Sequence, residues 1–372
     1  MEIATEVDVG LLFAMTGSDG PLNSDLPLGF ADPVIYNSIA QFSPAVKQGL
    51  PTGQKNDMMR KRKKDERKAA MDYASCTLCP RQCGVDRTAG FLGFCRCPDT
   101  ALVAKTMPHK WEEPVLAGSG GSGAVFFGGC TLGCRFCQNR AISAAPTGNP
   151  VDSGVLRKMM EDLIAQGAEN IDLVTPTQFL PTILPALEKP LGVPVVFNSG
   201  GYERVETIRA LAGKIDIYLP DMKYADNALA ARLSGASDYF ETAAAAIREM
   251  VRQTGPVSFR GDRLLRGTVI RHLILPGHIE NSLRVLDWIG ETFAPGEVLV
   301  SLMRQYTPMP GMSPPFDRRV TEEEYDAVLS WMYLNDLDGF TQEADAADVG
   351  FIPDFSNSHG EDGGQADDNM IK

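Results

Sequence analysis

The sequence predicts an α/β protein built on a parallel sheet. Six short apolar runs alternate with stretches of helical period, the pattern of strands that each return through a helix. Gly and Pro, at 36 and 25 residues, are frequent enough to punctuate that many strand–loop–helix junctions. Hydrophobic residues make up 44% of the 372, which is ample for a packed core.

Residues 1–70 do not share this pattern. Leu50-Pro51-Thr52-Gly53-Gln54 is turn-like, and Arg60-Lys61-Arg62-Lys63-Lys64 is a basic run. Asp65 and Glu66 interrupt that run before Arg67 and Lys68, which reads as a solvated helix rather than a nucleic-acid patch. The stretch is expected to be a partly disordered extension. Residues 71–117 form a cysteine-rich segment, and residues 118–340 carry the alternating pattern. Residues 341–372, with Glu361-Asp362-Gly363-Gly364-Gln365-Ala366-Asp367-Asp368, are expected to be an acidic, mostly disordered tail.

Within 118–340 the elements are read in order. Ala124–Gly129 is a strand. Val155, Leu156, Met159, Met160, Leu163 and Ile164 share one helical face. Ile171–Val174 is a strand and Pro181–Leu187 a short helix. Val193–Asn198 is a strand, followed by a helix over Tyr202–Leu211 that Gly213 stops. Ile215–Leu219 is a strand. Asn227–Thr254 is helical with a break at Gly235, and Gly255-Pro256 ends it. Val269–Leu275 and Val298–Met303 are strands, each before a helix, Asn281–Phe293 and Thr321–Leu334. Six units are too few to close an eight-stranded barrel. Gly118-Ser119-Gly120-Gly121-Ser122-Gly123 lacks the Gly-Lys-Ser/Thr ending of a phosphate loop and precedes a strand, so it reads as a plain loop.

All eight cysteines lie between Cys76 and Cys137. No basic leader precedes them, so metal is favoured over disulfides, and a reducing, cytoplasmic setting is expected. Cys130, Cys134 and Cys137 have the spacing C-x3-C-x2-C directly after the first strand. Three thiolates on one loop suit a four-iron cluster with one iron left open to a small molecule; a zinc knuckle is the competing reading, although zinc sites usually pair two knuckles or add histidines. Cys76-x2-Cys79-x3-Cys83-x11-Cys95 is a second group, in turn-rich sequence. Four thiolates complete a closed site, zinc or a second iron–sulfur cluster, which is structural or relays electrons. Cys97 is read as a spare that could replace Cys95, and His109 as an ordinary hydrogen-bonding histidine rather than a remote candidate ligand.

The three-cysteine loop, with Phe136 before its last cysteine, resembles the signature of the radical S-adenosylmethionine (SAM) superfamily. The likeness extends from about Cys76 to about Asp354. It is similar to a branch related to the pyruvate formate-lyase (glycyl-radical enzyme) activating enzymes. The segments that carry it are Cys76–Cys95, His109-Lys110-Trp111-Glu112-Glu113-Pro114, Gly129–Asn139, Leu173–Phe179, Tyr218–Tyr224 and Arg271–Gly277. The resemblance implies a partial (β/α)6, TIM-like barrel of the radical SAM type. It implies a [4Fe-4S] cluster on Cys130, Cys134 and Cys137 whose open iron chelates SAM, and an oxidoreductase-like enzyme that cleaves SAM reductively to a 5′-deoxyadenosyl radical for hydrogen abstraction.

By the same resemblance SAM would meet Phe136, Asn198, Ser199, Asp221, Lys223, Arg271 and Gln305. Many superfamily members carry Gly-Gly-Glu after the second strand. Here Thr175-Pro176-Thr177-Gln178 stands there, so the amine would fall to backbone carbonyls, Thr175 or Thr177. The implied partners are SAM, an electron donor such as flavodoxin or ferredoxin, and a protein substrate, a glycyl-radical enzyme. Modification of a small molecule, an RNA or another protein is the alternative reaction, and a non-catalytic electron-transfer protein the alternative class. The net charge of −13 argues against a general nucleic-acid binder, and no apolar run approaches the ~20 residues of a membrane span.

Overall fold

The computed structural model describes residues 72–342 and Phe355. The extension with its basic run, and nearly all of the expected tail, lie outside the described residues. Phe355 is buried and packs edge-on against Phe126, with ring centroids 5.5 Å apart.

Ten strands form the sheet among the described residues: β1 (Ala101–His109), β2 (Ser122–Phe127), β3 (Asn149–Val151), β4 (Ile171–Val174), β5 (Val195–Ser199), β6 (Ile217–Pro220), β7 (Ser258–Arg260), β8 (Arg263–Leu273), β9 (Leu299–Met303) and β10 (Gly339–Thr341). Their spatial order is β10-β9-β8-β6-β5-β4-β2-β1-β3, with β7 paired to β8. β2, β4, β5, β6, β8, β9 and β10 run parallel to one another. The six expected strands are present, and β10 adds a seventh. Sequence reading missed β10 because it is three residues long, and β1 because Pro108 and mixed polarity blur its alternation. β1 runs antiparallel beside β2 and contributes His109 to the end of the sheet.

Side chains alternate across each strand, so the sheet has two distinct faces. Val125, Leu173, Phe197, Tyr218, Ile270 and Val300 pack outward against helix residues such as Leu156, Met160, Ile183, Ile208, Ile247, Met250, Leu286 and Val328. The intervening residues face inward. Val196, Ile217, Leu219, Val269 and Leu299 form one apolar plug there, and Ala124, Phe126 and Val174 another.

The helices form where caps and periodicity agree. Asp152 caps Ser153–Ala165 by accepting from the N–H groups of Gly154 and Val155. Thr321 and Glu324 make a capping box ahead of Glu322–Leu334. The expected break at Gly235 is real: the residue is left-handed at φ +60° and separates Asn227–Ser234 from Tyr239–Thr254. The helix expected over Tyr202–Leu211 is shorter, Val205–Ala210. Tyr202 instead stacks on Tyr239, and its hydroxyl donates to Asp238. No helix among the described residues is long and apolar enough to cross a membrane.

Candidate active site

The inward row turns polar at the C-terminal ends of the strands. Asp172 precedes Val174 by two on β4, Asn198 follows Val196 on β5, and Asp221 follows Leu219 just past β6. Arg271 follows Val269 on β8. Parallel register sets them side by side: Val174 pairs with Asn198, Asn198 with Leu219, and Asp221 with Arg271.

Arg271 ties the row together. Its Nε donates to Asp221 Oδ1 at 2.8 Å and its Nη2 to Asn198 Oδ1 at 2.6 Å, while Nη1 reaches Glu112 Oε1 at 3.4 Å. Lys223 Nζ donates to the other Asp221 oxygen at 2.5 Å, and Asn198 Nδ2 donates to Asp172 Oδ2 at 3.1 Å. Burial opposes the charge on Asp221, but Arg271 and Lys223 outweigh it and hold the carboxyl below its usual range. Burial likewise opposes the Lys223 ammonium, and Asp221 outweighs it. Asp172 goes the other way. Burial, then the neighbouring Glu112 charge, push its carboxyl well above the ordinary value. Burial and Glu112 also raise Glu113, to about 7.

The three-cysteine loop follows β2. Gly129 has φ +74°, and a Cβ there would lie 2.3 Å from Cys97 Sγ, so only glycine fits. Each cysteine sulfur receives at least one donor. The Leu132 N–H points at Cys130 (3.3 Å), Ser234 Oγ at Cys134 (3.1 Å) and Ser143 Oγ at Cys137 (3.3 Å). Phe136 is buried against Tyr224 and Tyr306. Burial raises the Cys130 thiol and takes that of Cys134 up to about 12, so a metal must displace their protons. Three donor-supported sulfurs beside an open cavity fit a cluster held by three cysteines. Among the described residues no three His, Cys, Asp or Glu side chains converge on a single ion. A four-iron cluster takes its thiolates at separate corners and does not require such convergence.

A cavity of about 390 Å³ joins the loop to the charged row. Cys130, Cys134, Cys137, Phe136, Thr175, Asn198, Ser199, Asp221, Lys223, Arg271 and Gln305 all line it. Thr177 does not, which corrects its assignment as an acceptor for the SAM amine. It opens the turn Thr177–Phe179, lies buried, and donates its hydroxyl to Glu203 Oε1 at 2.7 Å. Thr175 is at φ +58°, a strained conformation for a β-branched residue. The Gln178 amide braces it, donating to the carbonyls of Thr175 (2.8 Å), Gly128 and Gly129. His109 also departs from expectation: it lines the cavity, and its Nδ1 is buried with no hydrogen-bond partner.

Sequence reading missed Glu112, Glu113, Asp172 and Trp111 as site residues. Glu112 and Trp111 line the cavity, and Trp111 is largely exposed at its edge. A signal for Asp172 was present, since an acid inside a short apolar strand that packs on both faces is rarely structural. The upstream cysteines lie behind the loop. Arg81, between Cys79 and Cys83, donates to the carbonyls of Thr131 (3.1 Å), Leu132 (3.0 Å), Ser234 (3.0 Å) and Gly235 (2.5 Å).

Residues 116–178 match the family described as a 4Fe-4S single cluster domain. That span holds Cys130, Cys134 and Cys137 and none of the five upstream cysteines. The chain is 30% identical over 284 residues to Uncharacterized protein MJ0674 of Methanocaldococcus jannaschii, covering 72% of this chain and 76% of that protein. Among solved structures, SuiB of Streptococcus suis is similar at a TM-score of 0.40 and 13% identity, over 58% of this chain. The match spans 47% of SuiB, about half its length. A radical SAM methyltransferase from Sphaerobacter thermophilus is similar at a TM-score of 0.42 and 15% identity, over 59% of this chain and 66% of that one.

Proposed function

We propose that this chain, which belongs to the family of the Methanocaldococcus jannaschii protein MJ0674, is a radical SAM enzyme. One observation carries the reading: the three cysteines of the 4Fe-4S span and the Asp221–Lys223–Arg271 set line the same cavity. A non-catalytic electron carrier has no need of a charged pocket beside its cluster. When bound, the cluster supplies the electron that cleaves SAM to methionine and a 5′-deoxyadenosyl radical.

The chain's own residues do the rest. Lys223 and Arg271 present positive charge to the SAM carboxylate. Asp221, held ionised by them, accepts from the ribose hydroxyls, and Asn198 and Ser199 offer further polar contacts at the same strand end. With Thr177 turned away, the SAM amine falls to Thr175 and nearby backbone carbonyls. Phe136 and Leu132, with Phe126, Val174, Leu273 and Met303, make the apolar part of the wall and keep water from the reacting carbon. Gln305, held by Gln138 and Gln342, closes the far side.

Anaerobic reconstitution with iron and sulfide, then SAM and a low-potential donor such as reduced flavodoxin or ferredoxin, should yield 5′-deoxyadenosine. Replacing Cys130, Cys134 and Cys137 by Ala should abolish it; product from that triple variant would refute the assignment. The narrower reading, supported by the motif resemblance alone, is activation of a glycyl-radical enzyme. It predicts that such an enzyme gains its paramagnetic glycyl signal on incubation with the reconstituted chain. 5′-Deoxyadenosine formation without that signal would instead support hydrogen abstraction from another substrate.

A further inference from the structure

Five cysteines, Cys76, Cys79, Cys83, Cys95 and Cys97, take no part in the cavity. Beside them lies Arg87, only 2% exposed. Its Nη1 donates to the Gln178 carbonyl at 2.7 Å and lies 3.8 Å from Cys76 Sγ, and its Nη2 donates to the Pro98 carbonyl. The guanidinium stacks on Tyr73 at 4.4 Å, and its Nε has no hydrogen-bond partner. No carboxylate pairs with it among the described residues. A guanidinium cannot shed its proton, so burying one without an anion is strongly unfavourable. The groups placed to supply negative charge are the thiols around it.

Four of those sulfurs each have a donor aimed at them. The Arg81 backbone N–H points at the Cys79 sulfur and the Cys97 backbone N–H at the Cys95 sulfur. The Phe94 N–H donates to Cys83 Sγ at 3.3 Å, and Arg87 faces Cys76. Cys97 is reversed: its own thiol donates to the Cys95 carbonyl at 3.3 Å and approaches the Gly128 carbonyl at 3.6 Å. The backbone also gathers the group. Cys76 N–H donates to the Val85 carbonyl and Gly84 N–H to the Cys76 carbonyl, which holds Cys76 beside the turn that carries Cys83. At Gly93 a Cβ would lie 2.9 Å from Cys83 Sγ, so the missing side chain leaves room for that sulfur.

We infer that Cys76, Cys79, Cys83 and Cys95 hold a second, four-thiolate metal centre of net negative charge, with Arg87 as its buried counter-charge and Cys97, turned onto backbone carbonyls, as a bystander. An iron–sulfur cluster, which takes its thiolates at separate corners, has this chemistry; a single zinc ion would need sulfurs converging on one point, and among the described residues no three His, Cys, Asp or Glu side chains do.

The test uses the full chain with Cys130, Cys134 and Cys137 replaced by Ala, purified anaerobically and reconstituted with zinc, or with iron and sulfide. It should retain iron with matching sulfide; retention of about one zinc without sulfide would overturn the cluster. Adding Cys83→Ser, at the exposed ligand, should remove that metal, and Cys97→Ser should not. Arg87→Met should release metal to a chelator about ten-fold faster or more. Should the triple variant fail to fold, the loss of metal between the unmodified chain and Cys83→Ser gives the same answer. A folded triple variant that retains neither metal, or undiminished metal in Cys83→Ser, would overturn the proposal. Loss on Cys97→Ser with retention on Cys83→Ser would overturn the ligand set.

Discussion

Single residues at this site do two jobs at once, and Lys223 shows how to separate them. It pairs with Asp221 and also lines the cavity. If its role is to meet SAM, Lys223→Met should weaken SAM binding by roughly 10- to 150-fold, the effect of losing a charge-assisted hydrogen bond worth ~1.5–3 kcal/mol. Iron content and melting temperature should hold. Equilibrium titration at matched iron loading checks this; an unchanged dissociation constant with a lowered melting temperature would reduce Lys223 to a local ion pair. His272, one residue past Arg271, points to the opposite face. Its Nδ1 lies 2.7 Å from the Met222 carbonyl and its Nε2 2.9 Å from Ser282 Oγ. Burial pulls its pKa down to about 4. The unfolded chain, with an ordinary histidine near 6.5, therefore binds more protons between these values. The stability His272 contributes is present above about 6.5 and is lost as pH falls towards 4. Urea midpoints across that range should fall with acidity, and His272→Gln should flatten that part of the profile.

At the scale of elements, the cysteine loop owes its shape to three pieces of chain that sequence separates widely. Arg81 joins them, bonding two carbonyls in the loop and two at the end of the helix Asn227–Ser234, and its guanidinium sits 3.9 Å over the Phe94 ring. Arg81→Ala removes all of this and leaves the three cysteines untouched. The reconstituted variant should lose its visible iron–sulfur absorbance to a chelator on the order of ten times faster than the parent. Equal rates would mean that the loop holds its form without the clamp. Gly129→Ala should be harsher. It requires a left-handed alanine and a methyl group against Cys97, so most of the protein should be insoluble or free of iron.

Across the whole molecule, the outward row of strand side chains carries the stability, while the inward row carries the chemistry. Phe197 on β5 is fully buried and stacks edge-on with Tyr218. Phe197→Ala should cost about 3–5 kcal/mol in urea unfolding, as expected of a large core deletion. Its neighbour Asn198 faces the cavity, so Asn198→Ala should cost far less stability and chiefly disturb the Arg271 network. If the two variants lose stability equally, the two-faced reading of the strand is wrong.

Strand and helix periods are local properties, and they were legible. The six apolar runs, the helix break at Gly235, the last helix from Thr321 and the three-cysteine loop could all be read before any contact was known. The charged residues of the resembling motifs were legible as candidates too, because Asp221, Lys223 and Arg271 sit where strands end. What could not be read was which atoms face one another. Thr177 and Thr175 are two apart in a polar turn, and only the fold turns one into the cavity and the other onto Glu203. Glu112, just past β1, and Asp172 on β4 come together in space, and Arg87 acquires its meaning only when burial removes it from water beside the Cys76 sulfur. Spacing along the chain determines element type and ligand number. Parallel register, burial and the charges that burial brings together determine the partner of each side chain, and those are properties of distance in space.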